Sequence, residues 1–291
     1  MIFASDLDST LIYSSKHCKL INEENLLPVD SYNNQYSYIT KSMQATLEHI
    51  NESMLFIPVT TRSIEQYTRM KYFYDTIKPK YAIVANGGII LKNGIELTDW
   101  SNISFTKIKE VISVRAMIKL CSFFLESDFV KTYKTCEDLF IYSILDEDKL
   151  VDSIKNAKIH LNYIEVLRSF CSKIDYSVSK QGKKVYIIPN CINKYDPINY
   201  IMKLENINMF MAAGDSLLDY PMIKHSNYGI VPSHGELLHN FCVNEFGGIV
   251  YITKQSGIFA GEEILDIVHE KFHELNDISQ GDSVTMQLRR R

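Results

Sequence analysis

The sequence has no apolar run approaching the roughly 18 residues that a membrane span requires. Its 291 residues hold only 7 prolines, 12 glycines and one tryptophan, so collagen-like and low-complexity chains are excluded. Cysteine is also sparse. Six residues at positions 18, 121, 136, 171, 191 and 242 include no CxxC pair. That scatter is neither a disulfide framework nor a zinc ribbon, and it reads as idle thiols in a reducing cytosol. An excess of positive charge is missing too. Lys+Arg number 31 against Asp+Glu 35, a net charge of −4, which leaves no broad cationic surface for duplex nucleic acid. The opening Met1-Ile-Phe-Ala-Ser-Asp6 has no basic n-region and turns acidic at once, unlike a signal peptide. The expectation is a cytoplasmic protein that binds neither membrane nor nucleic acid.

What is present suits a folded chain of about two domains. Hydrophobic residues make up 46% and charged residues 23%, enough to bury a core without staples. Short apolar strands are expected over 1–6, 54–59 and 81–85, with amphipathic helices over 40–53, capped by Thr40, and 63–73. The polar, tyrosine-rich stretch 13–38 reads as a loop that could hold a hairpin. Apolar strands alternating with amphipathic helices specify an α/β fold, a parallel sheet doubly wound by helices. Residues 89–184 change character, with helices expected over 107–127 and 147–161 and a strand over 139–144. The first pattern then resumes, with strands at 186–189, 210–213, 228–231 and 248–251, a helix over 195–205 and a last helix near 261–275. This divides the chain into a two-piece core, 1–88 and 185–276, a domain inserted over 89–184, and a polar, basic, frayed tail over 277–291.

Four short signals fall in order along the core pieces: Asp6-Leu-Asp8-Ser9-Thr10, Thr60-Thr61-Arg62, Lys194 and Gly214-Asp215-Ser216-Leu217-Leu218-Asp219. Three of them follow strands directly, at the sheet edge where open α/β sheets bind ligands. Carboxylates converging there repel one another and call for a hard cation with oxygen ligands, and Mg²⁺ fits an Asp pair, waters and a phosphate. A carboxylate can attack phosphorus, and a neighbouring Lys and Thr would neutralise and position the phosphoryl group. A second Asp two residues on, on the same side of an extended strand end, can serve as general acid and base. Taken singly these pieces are common turns; four in order are not.

At these residues the chain resembles the haloacid dehalogenase-like (HAD) phosphohydrolases, whose pattern runs DxDxT, a strand-end Ser or Thr, Lys, then GDxxxD. The segments VTTRS (59–63), VANGG (84–88) and IIPNCINKYDPINYI are similar to its Cof-type and sucrose-phosphatase-like branch, which inserts a C2-type α/β cap where 89–184 lies. The resemblance implies Asp6 as nucleophile and Mg²⁺ ligand, and Asp8 as general acid/base offering a backbone carbonyl to the metal. It implies Thr60 as phosphate holder and Lys194 as charge neutraliser. Asp215 would be a metal ligand, and Asp219 would orient Lys194 or a metal-bound water. Ser9, Thr10, Thr61, Arg62 and Asn86 are the further expected phosphate or substrate contacts. Ser9 and Thr61 stand where many members have Gly. The implied substrate is a small phosphorylated metabolite, a sugar phosphate first. A sugar phosphomutase and a non-catalytic binding protein are the competing readings.

Other motifs compete for chemistry. His269-Glu270-Lys271-Phe272-His273 matches HExxH, the zinc-peptidase spacing. A catalytic zinc needs a third protein ligand, no histidine follows His273, and little chain remains to build a cleft, so the motif reads as a polar helix face. His225, His234 and His239 are read as surface or capping residues, Asn86-Gly87-Gly88 as a tight turn leaving for the inserted domain, and Arg289-Arg290-Arg291 as a solvated end. Among the inserted domain's aromatics, Phe105, Phe123, Phe124, Tyr133, Phe140 and Tyr142 are expected mainly in its core.

Overall fold

A computed structural model describes residues 1–156, 162–239 and 246–288. The first stretch forms β1 (Ile2–Ser5), β2 (Tyr13–Ser14), β3 (Leu26–Tyr32), β4 (Gln35–Thr40), α1 (Lys41–Ser53), β5 (Leu55–Pro58), α2 (Ile64–Thr68) and β6 (Tyr81–Val84). In α1 the buried stripe is Met43, Leu47 and Ile50, and the Thr40 hydroxyl caps the helix by accepting from the Met43 amide at 3.1 Å. The tyrosine-rich stretch is more ordered than a loop. It forms an antiparallel sheet in the order β2-β4-β3, turning at Asn33 and Asn34, whose φ values of 50° and 60° suit asparagine in a tight hairpin. The helix expected over 63–73 stops at Thr68, and a π-helical turn over Tyr72–Ile77 buries Tyr72, Phe73 and Ile77 together.

The inserted stretch adds β7 (Ile89–Lys92), β8 (Ile95–Glu96), α3 (Thr98–Lys109), α4 (Val114–Leu120), α5 (Ser122–Leu125), β9 (Val130–Cys136), β10 (Phe140–Leu145), α6 (Glu147–Asn156), α7 (Tyr163–Cys171), β11 (Tyr176–Gln181) and β12 (Lys184–Pro189). Three helices replace the one expected over 107–127. Ser113 starts a new one by accepting from the Ala116 amide at 3.3 Å, since Ser competes well for a helix start and poorly for a helix interior. The expected helix over 147–161 is present to Asn156; residues 157–161 lie outside the described residues. A four-stranded antiparallel sheet in the order β11-β12-β10-β9 packs Ile141, Val185 and Ile187 against Met117, Phe124 and Leu167 of its helices. Residues 185–189, grouped with the second core piece on sequence, pair here with β10 and β11. Phe124 and Phe140 are buried as expected, whereas Phe105, Phe123 and Tyr133 are exposed.

The last stretch adds α8 (Tyr195–Leu204), β13 (Phe210–Ala213), α9 (Tyr220–His225), β14 (Tyr228–Val231), β15 (Ile249–Ile252) and α10 (Ile258–Leu288). The main sheet is parallel throughout, in the order β15-β14-β13-β1-β5. Helices α1 and α10 cover one face through Leu47, Ile264 and Val268, and α8 and α9 cover the other through Ile198, Ile201 and Met222. The fold is the doubly wound α/β core expected from the sequence. β6 was expected as a third core strand, but it pairs antiparallel with β7 and reaches β5's end only through the parallel bridge Val59–Ile83. The helix expected to end near 275 continues to Leu288, so the backbone of 276–288 is helical; 289–291 and Cys242 lie outside the described residues.

Candidate active site

β1 lies between β13 and β5, so the C-terminal ends of these three strands place Asp6, Asp215 and Thr60 side by side. The Asp6 amide donates to the Ala213 carbonyl at 2.9 Å and the Val59 amide to the Ser5 carbonyl at 2.7 Å. Two glycines permit the close approaches. A Cβ on Gly214 would fall 2.4 Å from the Cβ of Asp219, and one on Gly87, at φ 100°, would fall 2.0 Å from the Asn193 carbonyl oxygen. The first lets Asp219 fold under β13. The second lets the loop carrying Lys194 lie against the 85–88 turn.

Lys194, 1% exposed, is held between two carboxylates: its Nζ donates to Asp6 Oδ1 at 2.6 Å and to Asp219 Oδ1 at 2.5 Å. The other oxygen of Asp219 accepts from the Ser216 amide at 2.9 Å and hydroxyl at 2.8 Å, so both Asp219 oxygens are occupied by protein. The Thr10 hydroxyl lies 3.3 Å from Asp6 Oδ2 and 3.4 Å from Asp215 Oδ1. Carboxylate oxygens of Asp6, Asp215 and Asp219 lie within 4.8 Å of one another. Three carboxylates against one ammonium leave two negative charges uncompensated in a buried space, a deficit that a divalent cation fits. The ionisation follows from this. Burial pushes Asp6 up to about 7 although Lys194 opposes the shift, and burial with the Asp6 and Asp219 charges pushes Asp215 well above the usual carboxylate range. Asp219, expected among the metal ligands, turns its carboxylate to Lys194 and Ser216, which suits the alternative expectation that it orients Lys194.

Asp8 faces a different partner. Arg62 Nε and Nη2 donate to its two oxygens at 2.8 Å each, while Nη1 donates to Asp30 Oδ2 at 2.5 Å. Burial would raise the Asp8 carboxyl, but the Arg62 guanidinium outweighs it and holds Asp8 well below the usual range. Asp30, on β3, also accepts from Arg69 Nε at 3.0 Å. Sequence reading gave no role to Asp30. Its signal was a lone acid in a polar stretch, and only the hairpin pairing brings it to Arg62. Lys184 and Tyr186 of β12 were missed for the same reason: the Tyr186 hydroxyl accepts from Thr61 Oγ1 at 3.4 Å, and the Tyr186 and Asp8 charges raise the Lys184 ammonium.

Thr60 is buried, and its hydroxyl accepts from the Arg62 amide at 3.2 Å. Asn86, left-handed at φ 55°, donates from Nδ2 to the Ile192 carbonyl at 3.4 Å, and its buried Oδ1 has no partner among the described residues. Ser9 is left-handed too, at φ 66°, where glycine is the default residue. His234 Nε2 lies 2.9 Å from the Ser9 carbonyl oxygen and its Nδ1 accepts from the Gly257 amide at 3.2 Å, bracing that turn. His225 stacks on Tyr195, and the His239 side chain lies outside the described residues.

The inserted sheet reaches this edge directly. Glu137 accepts from the Ile64 amide at 2.9 Å, and Leu139, Phe140 and Tyr186 join the hydrophobic cluster of the main sheet's α1 face. The edge thus gathers carboxylates, a buried lysine and hydroxyls, a set of groups able to bind a cation and a phosphoryl group together.

Among solved structures, the fold is similar to that of the sucrose-phosphatase from Synechocystis, determined with sucrose and phosphate, at 17% identity and a TM-score of 0.60, covering 92% of this chain and 97% of that one. It is also similar to the IMP-nucleotidase of Plasmodium falciparum, at 15% identity and a TM-score of 0.53 over 92% of this chain and 68% of that one. A further likeness is to the subclass IIB sugar phosphatase BT4131, at 13% identity and a TM-score of 0.51 over 92% and 98%. At these identities the likeness concerns the fold. A search of curated proteins gives no significant match. The model of the haloacid dehalogenase-like hydrolases matches residues 3–235, from β1 through the last acidic motif, and the chain therefore belongs to the haloacid dehalogenase-like hydrolase family and is an enzyme of that class.

Proposed function

We propose that the chain hydrolyses phosphomonoesters of small metabolites, sugar phosphates first, with Mg²⁺ as cofactor and an aspartyl-phosphate at Asp6. The observation that carries this reading is the buried cluster of Asp6, Asp215 and Asp219 around Lys194, short of positive charge by two. Asp6 and Asp215, with the Asp8 carbonyl, would hold the ion, which when bound offsets the charge of the cluster and of the incoming phosphate.

In the first step an Asp6 oxygen attacks phosphorus and the ester P–O bond breaks, while Asp8 gives its proton to the leaving oxygen. In the second step water attacks phosphorus, Asp8 takes its proton, and the Asp6–phosphorus bond breaks to release inorganic phosphate. Lys194 fixes Asp6 and balances charge on the phosphoryl oxygens. Thr60, Ser9 and Thr10 line the phosphate's approach, with Thr61 and Asn86 at its edge. The stretch 89–184 serves as a cap that excludes water and selects substrate; Tyr186, which meets Thr61, and Lys184 and Tyr142 beside it are the groups through which it would reach the substrate. Support for a sugar phosphate comes from the sucrose-phosphatase and sugar phosphatase among the fold's likenesses, and the nucleotidase adds nucleoside monophosphates to the substrates worth testing. A cytoplasmic setting is part of the same reading, supported by the five described cysteines, all free thiols. Among the described residues no helix is long and apolar enough to cross a membrane.

The test is phosphate release from a panel of sugar phosphates and nucleoside monophosphates, with Mg²⁺ and with Asp6→Asn as the blank. Turnover absent from the blank supports the reading. Formation of an isomeric sugar phosphate without phosphate release points to a phosphomutase, and identical rates in wild type and blank remove Asp6 from the chemistry.

A further inference from the structure

The HExxH match lacks a third ligand when only the chain after it is considered, and the fold supplies one from the opposite end of the core. Helices α1 and α10 run side by side in the same direction. At their starts the Thr40 hydroxyl donates to Glu262 Oε1 at 2.5 Å, and the absent side chain of Gly261 leaves room for Met43. Two turns further along, His49 of α1 meets His269 and His273 of α10. Three of the chain's eight histidines thus converge on one partly exposed spot, with ligand nitrogens within 4.8 Å of one another.

We propose that His49, His269 and His273 form a binding site for a divalent transition-metal ion, with Zn²⁺ as the occupant, distinct from the acidic cluster and independent of the phosphatase reading. The spacing fits the chemistry. Ligands about 2.1 Å from a tetrahedral zinc lie about 3.4 Å apart. His269 Nε2 and His273 Nε2 are 3.1 Å apart, and a ligand nitrogen of the exposed His49 lies within 4.8 Å of both. Positions i and i+4 put the two α10 imidazoles on one face. All three donors are imidazoles, which favour zinc, copper or nickel over magnesium. Three protein ligands leave a fourth position for water. The three imidazoles are exposed or half-buried on the outer side of two packed helices, so the assignment is binding and not peptide hydrolysis. A bound ion would clamp α10 to α1 and so to the main sheet.

The experiment is calorimetric titration of the 291-residue wild type with ZnCl₂, in excess Mg²⁺ as competitor for the acidic cluster, repeated with His49→Ala and His273→Ala. Circular dichroism confirms that these exposed replacements fold. The expected result is one zinc per chain in the wild type, weakened more than about tenfold by either substitution, with a Zn²⁺-dependent rise in Tm that both variants lose. Phosphate release stays unchanged in both. No zinc binding in the presence of Mg²⁺, or equal binding by wild type and His49→Ala, overturns the proposal.

Discussion

Asp8 and Arg62 face each other through two parallel hydrogen bonds, Nε to Oδ2 and Nη2 to Oδ1, each 2.8 Å long. Such a fork is strong and geometrically exact in its demands, and it keeps Asp8 ionised. In the proposed mechanism Asp8 must carry a proton when the ester bond breaks, so Arg62 would have to loosen its hold by then. The phosphate of the substrate is the competing anion that can draw it away. Arg62 was expected at the phosphate on sequence grounds; in this arrangement its guanidinium spans Asp8 and Asp30.

Replacing Arg62 with Met removes the cation and keeps much of the side-chain volume. Asp8 has a depressed value in the fold, so its contribution to stability is present above the ordinary carboxylate pKa near 4 and is lost as pH falls below it. Thermal melts between pH 5 and pH 2.5 therefore show a shallower loss of Tm in Arg62→Met than in wild type. Phosphate release falls by about 10²-fold, because Asp8 is no longer oriented. An unaltered acid slope would mean that Arg62 does not govern Asp8.

The Asp6, Asp215 and Asp219 cluster predicts how Mg²⁺ and pH trade off. The folded-state values of Asp6 and Asp215 are raised, Asp6 to about 7. The favourable contribution of Asp6 is full below the unfolded value near 4 and is lost as pH rises through about 7, and Asp215 acts in the same direction. In EDTA, Tm is expected to fall between pH 6 and pH 8. Mg²⁺ binds the ionised form, so the rise in Tm that it produces grows over the same interval. Differential scanning fluorimetry with Mg²⁺ and with EDTA across pH 5.5–8.5 reads both; a Tm indifferent to Mg²⁺ at pH 8 contradicts the metal assignment.

Removing the buried cation tests the same cluster from the other side. Lys194→Met leaves Asp6 and Asp219 without the ammonium they share. Breaking a buried pair in this way costs about 3–5 kcal/mol. The loss in urea unfolding is expected to be smaller at pH 6 than at pH 8, because Asp6 takes up a proton as pH falls through about 7. Asp6→Asn, in contrast, lowers kcat by about 10⁴-fold or more while leaving the metal-free protein at least as stable at pH 8, since it deletes a charge that burial disfavours.

Much of the acidic edge is legible in the sequence. Asp6, Thr60 and Asp215 were legible because each directly follows a short apolar strand, and a parallel sheet carries all its strand ends to one edge. Lys194 and Asp219 were legible through the spacing of their motifs. Asp30 and Tyr186 were not, because they arrive through antiparallel pairing of β3 with β4 and of β12 with β10 and β11, and such registers depend on contacts far apart in the chain. The third histidine of the α1–α10 cluster was hidden by the same kind of distance, 220 residues before His269. The helix over 107–127 was misjudged because its apolar periodicity runs through Ser113 without marking the break.

The hairpin carrying Asp30 gives the last prediction. Asp30 has a side chain only 7% exposed and binds both Arg62 and Arg69, and Arg69 also lies over the Tyr32 ring at 4.8 Å. Burial would raise its carboxyl, but Arg69 and Arg62 outweigh burial and lower it. Asp30→Asn keeps the shape and deletes the charge, which costs about 2 kcal/mol for hydrogen bonds to charged groups and flattens the acid slope of stability below about pH 4. Asp8 then becomes the remaining carboxylate for Arg62, which holds it ionised more firmly. The kinetic signature is therefore a fall in kcat of about tenfold, larger than any rise in KM, with partial recovery in Asp30→Glu. A merely structural role for the hairpin would lower Tm in Asp30→Asn and leave the pH dependence of kcat where it was.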